Sequence, residues 1–543
     1  MSPICKSEKL SGKMLSPGKG MGKTYIYRNT LDRLDEFYDI NEDQVDEEIN
    51  RYDEAVQNIN AELTSLSKQI KSEINTKLSM VFQTHMAIMQ DADLNNDIHS
   101  EIRKELVSAG TSVKTVYRRW IRRFEKTEIN SVIQKTDDLR DLVRRIIFSL
   151  AGVRAHALES MPDGSVLVAK RLLPSDTIFL ARKKVSAAIL ESGGTGSHAA
   201  LFAHEMALPC VSGFPGIFDK IPSNVEVLVD AESAELIINP SVELEEEFRV
   251  KIENHEKKLI HIKENSRNLA ITQSGINVAV MANIGSQSDA QHAIEQGADG
   301  IGLYRIEQAY LRRQSPPSQD KLLEVLKRIL APAKELPICV RLLDAGSDKQ
   351  LPYIENNSEP NPALGCRGIR FLENYPKLLE TQLDVLLKLA NDFKLSILVP
   401  MVVLPKDIQL VRSLMEKIAK SQGISNIPKI GAMIETPAAA LNAAEISKYA
   451  DFLIIGSNDL TQYTFAADRE NPEVENYFDD THDVIFRMIK MICDDVESIP
   501  VSICGELACR TKFTSKLLEC GIKSLSVAPP SIPTVKSAVR NSK

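Results

Sequence analysis

From Val45 the apolar residues fall at Val45, Ile49, Tyr52, Val56, Ile59, Leu63, Leu66 and Ile70, in alternating steps of four and three. That spacing keeps one stripe on one side of an α-helix and predicts a long helix with a coiled-coil seam. Helical periodicity continues over 97–127 and 129–150, the latter with Val132, Ile133, Leu139, Leu142, Val143, Ile146 and Ile147 on one face. An all-α module over 31–150 follows.

The pattern changes at Ala151-Gly152. Short β-type runs (Ser165 to Ala169, Ala187 to Leu190, Val225 to Val229) then stand between Gly/Pro turns, predicting a small α/β domain over 151–239. The short strand Thr24 to Tyr27 in residues 1–30 is too little to fold alone. It is expected to complete this later sheet, which makes the helical module an insertion. Residues 241–265 are charge-dense without Gly or Pro, so a connecting helix is expected within 240–270.

Over 271–543, eight apolar runs alternate with helical segments: Val278 to Met281, Gly300 to Leu303, Ile338 to Leu342, Ser396 to Val399, Ile430 to Ile434, Phe452 to Ile455, Val501 to Cys504 and Ser524 to Val527. Eight βα units predict a (β/α)8 barrel. Polar residues follow these runs: Asn283, Arg305 with Glu307, Arg341 with Asp344, Glu435, Asn458 with Asp459, and Cys504 with Glu506. In a barrel all such ends share one face, where catalysis is housed.

Composition narrows the class. The chain has 543 residues, 66 basic and 74 acidic, for a net charge of −8. No basic field points to nucleic acid, and no apolar run reaches the ~20 residues of a membrane span. The eight cysteines include no C-x-x-C pair, and the N-terminal residues lack the order of a signal peptide. A reducing, cytoplasmic setting is expected.

Two groups of residues carry candidate chemistry. Gly193-Gly194-Thr195-Gly196-Ser197-His198 closes the run Ala187 to Leu190, and Ala199 to Ala203 reads as the first turns of a helix capped by Ser197. A phosphoryl group on His198 would meet free N–H groups at the positive end of that helix. At the barrel face, Arg305, Arg341, Arg367 and Arg469 concentrate guanidinium groups, whose forks match phosphate and carboxylate. Glu435 and Asp459 supply hard oxygen donors suited to Mg²⁺. Cys504 is either a buried inert thiol or, beside an anionic substrate, a proton donor. The sequence Tyr117 to Phe124 adds two arginine pairs at i,i+4, either a solvated face or a surface for an acidic partner. His85 and His204 are either packing residues or neighbours of the phosphoryl path.

Taken together, Gly193-Gly194-x-x-Ser197-His198, Gly300 to Glu307, Arg341-Leu342-Leu343-Asp344, Asn361 to Arg367, Glu435-Thr436-Pro437, Ser457 to Tyr463 and Cys504-Gly505-Glu506 resemble enzyme I of the phosphoenolpyruvate-dependent sugar phosphotransferase system. The resemblance runs over nearly the whole chain. It implies a multidomain α/β protein: a swivelling phosphohistidine α/β domain with an inserted all-α domain that docks the phosphocarrier HPr, followed by a (β/α)8 TIM barrel that forms a homodimer. It further implies that His198 takes the phosphoryl group of phosphoenolpyruvate and passes it to a histidine of HPr. Arg305, Arg341, Arg367, Asn458, Asp459 and Arg469 would hold substrate, Glu435 and Asp459 would bind Mg²⁺, and Cys504 would protonate the enolate to give pyruvate. The linker would carry the histidine between stations. Family members commonly read Arg-Thr-Ser-His at the active turn, threonine at Ile306 and arginine at His204. These departures motivate an alternative, a catalytically weakened relative acting as a phosphorylation-state regulator or scaffold. Pyruvate phosphate dikinase and phosphoenolpyruvate synthase share the histidine domain and barrel but carry an ATP-binding domain for which the helical module is too short.

Overall fold

The computed structural model describes residues 7–27, 38–73, 76–125, 130–152, 157–181, 183–191, 198–206, 208–311, 313–346, 351, 353–354, 359, 361–469, 471, 474–496 and 498–543. These form two compact units, Met1–Glu256 and Lys257–Lys543. Their boundary falls inside one helix, Val242–Glu264, in the stretch expected to connect.

The first unit is built on an eight-stranded sheet of β1 (Glu8–Ser11), β2 (Lys13–Ser16), β3 (Lys19–Tyr27), β4 (Val166–Ala169), β5 (Ala187–Leu190), β6 (Cys210–Ser212), β7 (Glu226–Asp230) and β8 (Glu235–Ile238), in the order β1-β8-β7-β3-β4-β5-β6-β2. The N-terminal strand β3 lies at the centre, antiparallel to β7 along its first half and parallel to β4 from Thr24 to Tyr27. The chain leaves the sheet after β3, builds helices Val45–Glu73, Thr76–Met89, Ala92–Glu105, Ala109–Glu125 and Asn130–Leu150, and returns at β4.

Alternation along the central strands gives the sheet two buried faces. Val166, Val168, Ala187 and Ile189 pack with Val211, Val227 and Val229 on one side. Leu167, Ala169, Ala188 and Leu190 pack on the other in one core with Ile59, Leu63, Ile98, Val113 and Ile146 of the helices. The helical insertion is therefore fused to the sheet through apolar side chains.

The helix expected over 97–127 is instead two helices, broken at Leu106, whose backbone is left-handed (φ 49°). Val107 bridges Asp39, and the Ser108 hydroxyl accepts the Thr111 N–H at 3.3 Å to start the next helix. Helix Thr76–Met89 lies outside the expected helical spans.

The second unit is a closed barrel of parallel strands β9 (Ala279–Ile284), β10 (Ile301–Arg305), β11 (Ile338–Arg341), β12 (Leu395–Val399), β13 (Lys429–Ile434), β14 (Phe452–Gly456), β15 (Val501–Cys504) and β16 (Ser524–Val527), with β16 closing onto β9. Each strand overlaps the apolar run that predicted it. Helices coat the outside through a single large core. Leu303, Cys339, Leu398, Met433, Ile454 and Cys504 form a separate cluster. Among the described residues no helix is long and apolar enough to cross a membrane.

Candidate active site

Parallel strands closed into a barrel bring their C-terminal ends to one face. Arg305 ends β10 and is exposed; Arg341 ends β11 and is buried. Glu435 follows β13, Asn458 and Asp459 open the helix Ser457–Phe465 directly after β14, and Cys504 ends β15. Arg469 is exposed beyond that helix.

A buried ionic network joins these ends. Arg341 donates to Glu307 and places Nη1 3.3 Å from Asp344 Oδ2. Arg367 grips Asp344 with two bonds, Nε to Oδ1 at 3.1 Å and Nη2 to Oδ2 at 3.0 Å, while its Nη1 donates to Asp459 Oδ1 at 3.1 Å and to the Tyr463 hydroxyl at 3.3 Å. The Tyr463 hydroxyl in turn donates to the Ala363 carbonyl at 2.5 Å, tying the arginine loop to the Asp459 helix. Glu435 Oε1 accepts the Met401 N–H at 2.6 Å. Asn458 Oδ1 accepts the Glu506 N–H at 2.9 Å, so its amide N–H₂ is left for other partners.

Close backbone approaches make room for these side chains. A Cβ at Gly456 would lie 2.9 Å from Glu435 Oε2. Gly505 has φ +105°, and a Cβ there would strike Ser457 Oγ and sit 2.8 Å from Asn458 Oδ1.

Charge is unequal within the network. The carboxylates of Glu307, Asp344, Glu435 and Asp459 are buried, against the buried guanidiniums of Arg341 and Arg367. Burial lowers arginine basicity, yet the facing carboxylates outweigh it and hold both guanidiniums more firmly protonated than usual. Burial, then the nearby Asp459 and Asp344, push Glu435 up to about 8 despite the arginines. Burial, with Glu435 adding to it, pushes the Cys504 thiol up to about 12, so it is a neutral S–H donor near pH 7.

Among the described residues, three buried polar atoms of this network have no hydrogen-bond partner: Glu307 Oε2, Arg341 Nε and Glu435 Oε2. Such atoms are costly unless a ligand meets them. Among the described residues no three His, Cys, Asp or Glu side chains converge to hold an ion alone. Two hard carboxylates, one with a free oxygen, within a network carrying surplus negative charge, fit Mg²⁺, which keeps waters and shares substrate oxygens.

In the first unit, His198 opens the helix His198–Glu205, the next described element after β5. Residues 192–197, including Thr195, Gly196 and Ser197, and the side chains of His198 and His204, lie outside the described residues. Ser16 of β2 donates to the Ala203 carbonyl at 3.2 Å and fixes this helix on the sheet. His85 is fully buried, its Nε2 3.0 Å from Asp138 and its Nδ1 3.8 Å from Asp141, in the packing role. Ile306 is fully buried in the core between strands and helices.

Three members of the network carry no assigned role on sequence grounds. Glu307 and Asp344 are visible as polar residues after strands, and Asp344 stands three residues from Arg341. Tyr463 lies in the Ser457 to Tyr463 motif, but nothing in its spacing announces the bond to Arg367.

Three family models match the chain. The family model for the PEP-utilising enzyme N-terminal domain matches residues 11–134, the mobile domain 161–234 and the PEP-binding domain 261–543. A phosphoenolpyruvate-protein phosphotransferase of Haloferax volcanii is 32% identical over 540 residues, 98% of this chain and 94% of that protein. Proteins of the same name from Haemophilus influenzae (29% over 542 residues, 98% and 94%) and Borreliella burgdorferi (30% over 539 residues, 97% and 93%) are also similar. With a matched PEP-binding domain that spans its whole barrel, and relatives alike from end to end, the chain belongs to the PEP-utilising enzyme family.

Proposed function

We propose that this chain is a phosphoenolpyruvate-protein phosphotransferase that takes the phosphoryl group of phosphoenolpyruvate onto His198 and hands it to a histidine of an HPr-type carrier. The observation that carries the reading is the set of unpartnered buried atoms Glu307 Oε2, Arg341 Nε and Glu435 Oε2 in one ionic network. An apolar ligand would leave them unpaired; a phosphate-bearing acid with a cation meets them.

In this reading Arg305, Arg341, Arg367, Arg469 and the Asn458 amide bind the phosphate and carboxylate of phosphoenolpyruvate. Glu435 and Asp459 would hold Mg²⁺, which when bound would neutralise charge developing on the phosphate. The P–O bond to the enol oxygen breaks as the P–N bond to His198 forms. The Cys504 S–H gives its proton to the methylene carbon of the enolate, and pyruvate leaves. The neutral state of that thiol suits a donor. The helix Val242–Glu264 joins the histidine unit to the barrel unit, and delivery of His198 to the barrel face is a domain motion of the microsecond-to-millisecond class. Homodimerisation through the barrel and a cytoplasmic setting belong to the same reading.

The test is an incubation of the chain with Mg²⁺ and phosphoenolpyruvate labelled in its phosphate, followed by addition of HPr. Acid-labile, base-stable label on the chain, absent in His198→Ala, is expected, with label then chased onto HPr and one pyruvate released per phosphoryl group. Cys504→Ser is expected to slow pyruvate release at least 100-fold with substrate KM held within about threefold. An unlabelled wild-type chain would sink the proposal.

A further inference from the structure

Met401, directly after β12, is apolar and buried, yet its backbone is left-handed with φ +54°. A side chain with a Cβ adopts that conformation only where the surroundings impose it. Two neighbours show what the conformation accomplishes. The Met401 N–H donates to Glu435 Oε1 at 2.6 Å, which leaves Glu435 Oε2 as the buried oxygen without a partner. On its other side the Met401 side chain meets Gly368, where an added Cβ would lie 2.7 Å from Met401 Cβ and 2.8 Å from Cγ. Gly368 is itself left-handed (φ +59°), and the next residue, Ile369, donates its N–H to the Pro400 carbonyl at 3.3 Å. The Pro400-Met401 turn is thus the seat of the Arg367-Gly368-Ile369 segment. From that segment Arg367 reaches Asp344 and Asp459.

We propose that Met401 is a positioning residue for the barrel reaction: its left-handed backbone pins one oxygen of Glu435 so that the other faces the cation, and its side chain seats the loop that aims Arg367. The inference rests on the reading of Glu435 as a magnesium ligand. Toward Glu435 this methionine acts through its backbone, and toward Gly368 through its side chain.

A purely packing role and a backbone role predict opposite rankings of variants. Valine preserves apolar burial but, being β-branched, resists positive φ. Asparagine is polar but tolerates the left-handed region, and glycine adopts it freely. The experiment titrates the full chain with Mn²⁺ in place of Mg²⁺, reading the free ion by its paramagnetic resonance signal, alongside thermal melting and the KM for phosphoenolpyruvate. Met401→Val is expected to weaken Mn²⁺ binding at least tenfold. Met401→Asn and Met401→Gly are expected to keep it within threefold, while Met401→Gly, having released Gly368, raises KM several-fold. Unchanged Mn²⁺ binding in Met401→Val, or a tenfold loss in Met401→Gly, would overturn the proposal while leaving the magnesium reading intact. Should the valine variant fail to fold, the glycine variant alone decides. A wild-type chain that takes up no Mn²⁺ would remove the magnesium reading and this inference with it.

Discussion

Among the described residues two buried ionic networks of similar composition stand out, and they are built to different ends. In the first unit Arg144 donates to the Tyr27 hydroxyl at 2.6 Å and lies 2.7 Å from Asp176 and 2.9 Å from Asp141, while the Ser175 N–H donates to Asp141 at 2.9 Å. These residues come from helix Asn130–Leu150, from strand β3 and from the start of helix Pro174–Ala181, so the network rivets the helical insertion to the sheet. Arg144, Arg145 and the His85 ring face Asp138, Asp141 and Asp176. The barrel network has two carboxylates more than guanidiniums and ends in unpartnered atoms on both an arginine and two glutamates. Both networks leave buried atoms without hydrogen-bond partners among the described residues, Arg145 Nε and His85 Nδ1 in the first; what sets the barrel network apart is its excess of carboxylates over guanidiniums, which favours a cationic ligand.

Removing the central arginine of each network tests that distinction most strongly. Either loss strands buried carboxylates, at about 3–5 kcal/mol. Arg144→Ala is expected to lower the unfolding transition of the first unit by that amount while Mn²⁺ binding by the barrel stays within about twofold. Arg341→Ala is expected to cost the barrel transition at least as much, because it enlarges an existing surplus of buried carboxylates, and, unlike Arg144→Ala, to reduce phosphoenolpyruvate turnover at least 100-fold. Calorimetry that resolves the two units checks both. Equal behaviour of the two variants would erase the comparison.

The surplus charge has a pH signature. Glu435 is held above the ordinary carboxylate range, so folding favours its protonated form. Its contribution to stability is complete below the unfolded value of about 4.3 and is lost as pH rises through about 8. Each tenfold difference in proton affinity between the folded and unfolded chain is worth ~1.4 kcal/mol, so the metal-free barrel is expected to lose on the order of a few kcal/mol between pH 5 and 8. Mg²⁺ restores it at pH 8, and Glu435→Gln flattens the slope. A barrel whose melting temperature is level over that range in the absence of metal would contradict the unbalanced network.

How far these features were legible in the sequence depends on which force set them. The eight barrel strands and the residues after them follow from apolar runs and from the rule that parallel strands end on one face. The partition of charge was not legible, because Glu307, Asp344 and Tyr463 act through contacts with residues far away in the chain. The union of helical insertion and sheet was also hidden, since Leu167, Ala169, Ala188 and Leu190 read equally well as strand cores facing anything apolar. At Leu106 a left-handed residue that is not glycine breaks a helix whose apolar periodicity runs on; Ser108, a fair N-cap, and Gly110 are the signals there. Met401 gives none.

A steric change sharpens the comparison at a smaller scale. Gly505→Ala combines a φ of +105° with a collision against Ser457 and Asn458, so about 1–3 kcal/mol of strain is expected. Because the displaced residue is Asn458, substrate KM is expected to rise by more than the stability loss alone explains. Proportional losses in both would place Gly505 among ordinary structural glycines.

The smallest effect is expected where ions are wet. On helix Ala109–Glu125, Arg119 pairs with Glu101 at 2.5 Å and the Trp120 indole N–H donates to Asp97 at 3.0 Å, so part of the arginine-rich stretch is spent on its neighbouring helix. The Arg119 side chain is 52% exposed, and water screens the pair. Arg119→Ala is expected to change the first unit's free energy of unfolding in denaturant by less than ~1 kcal/mol, with high salt shrinking even that. A loss as large as that of Arg144→Ala would mean that exposure does not separate the ionic contacts of this protein, and that the buried network around Arg144 owes its strength to something other than burial.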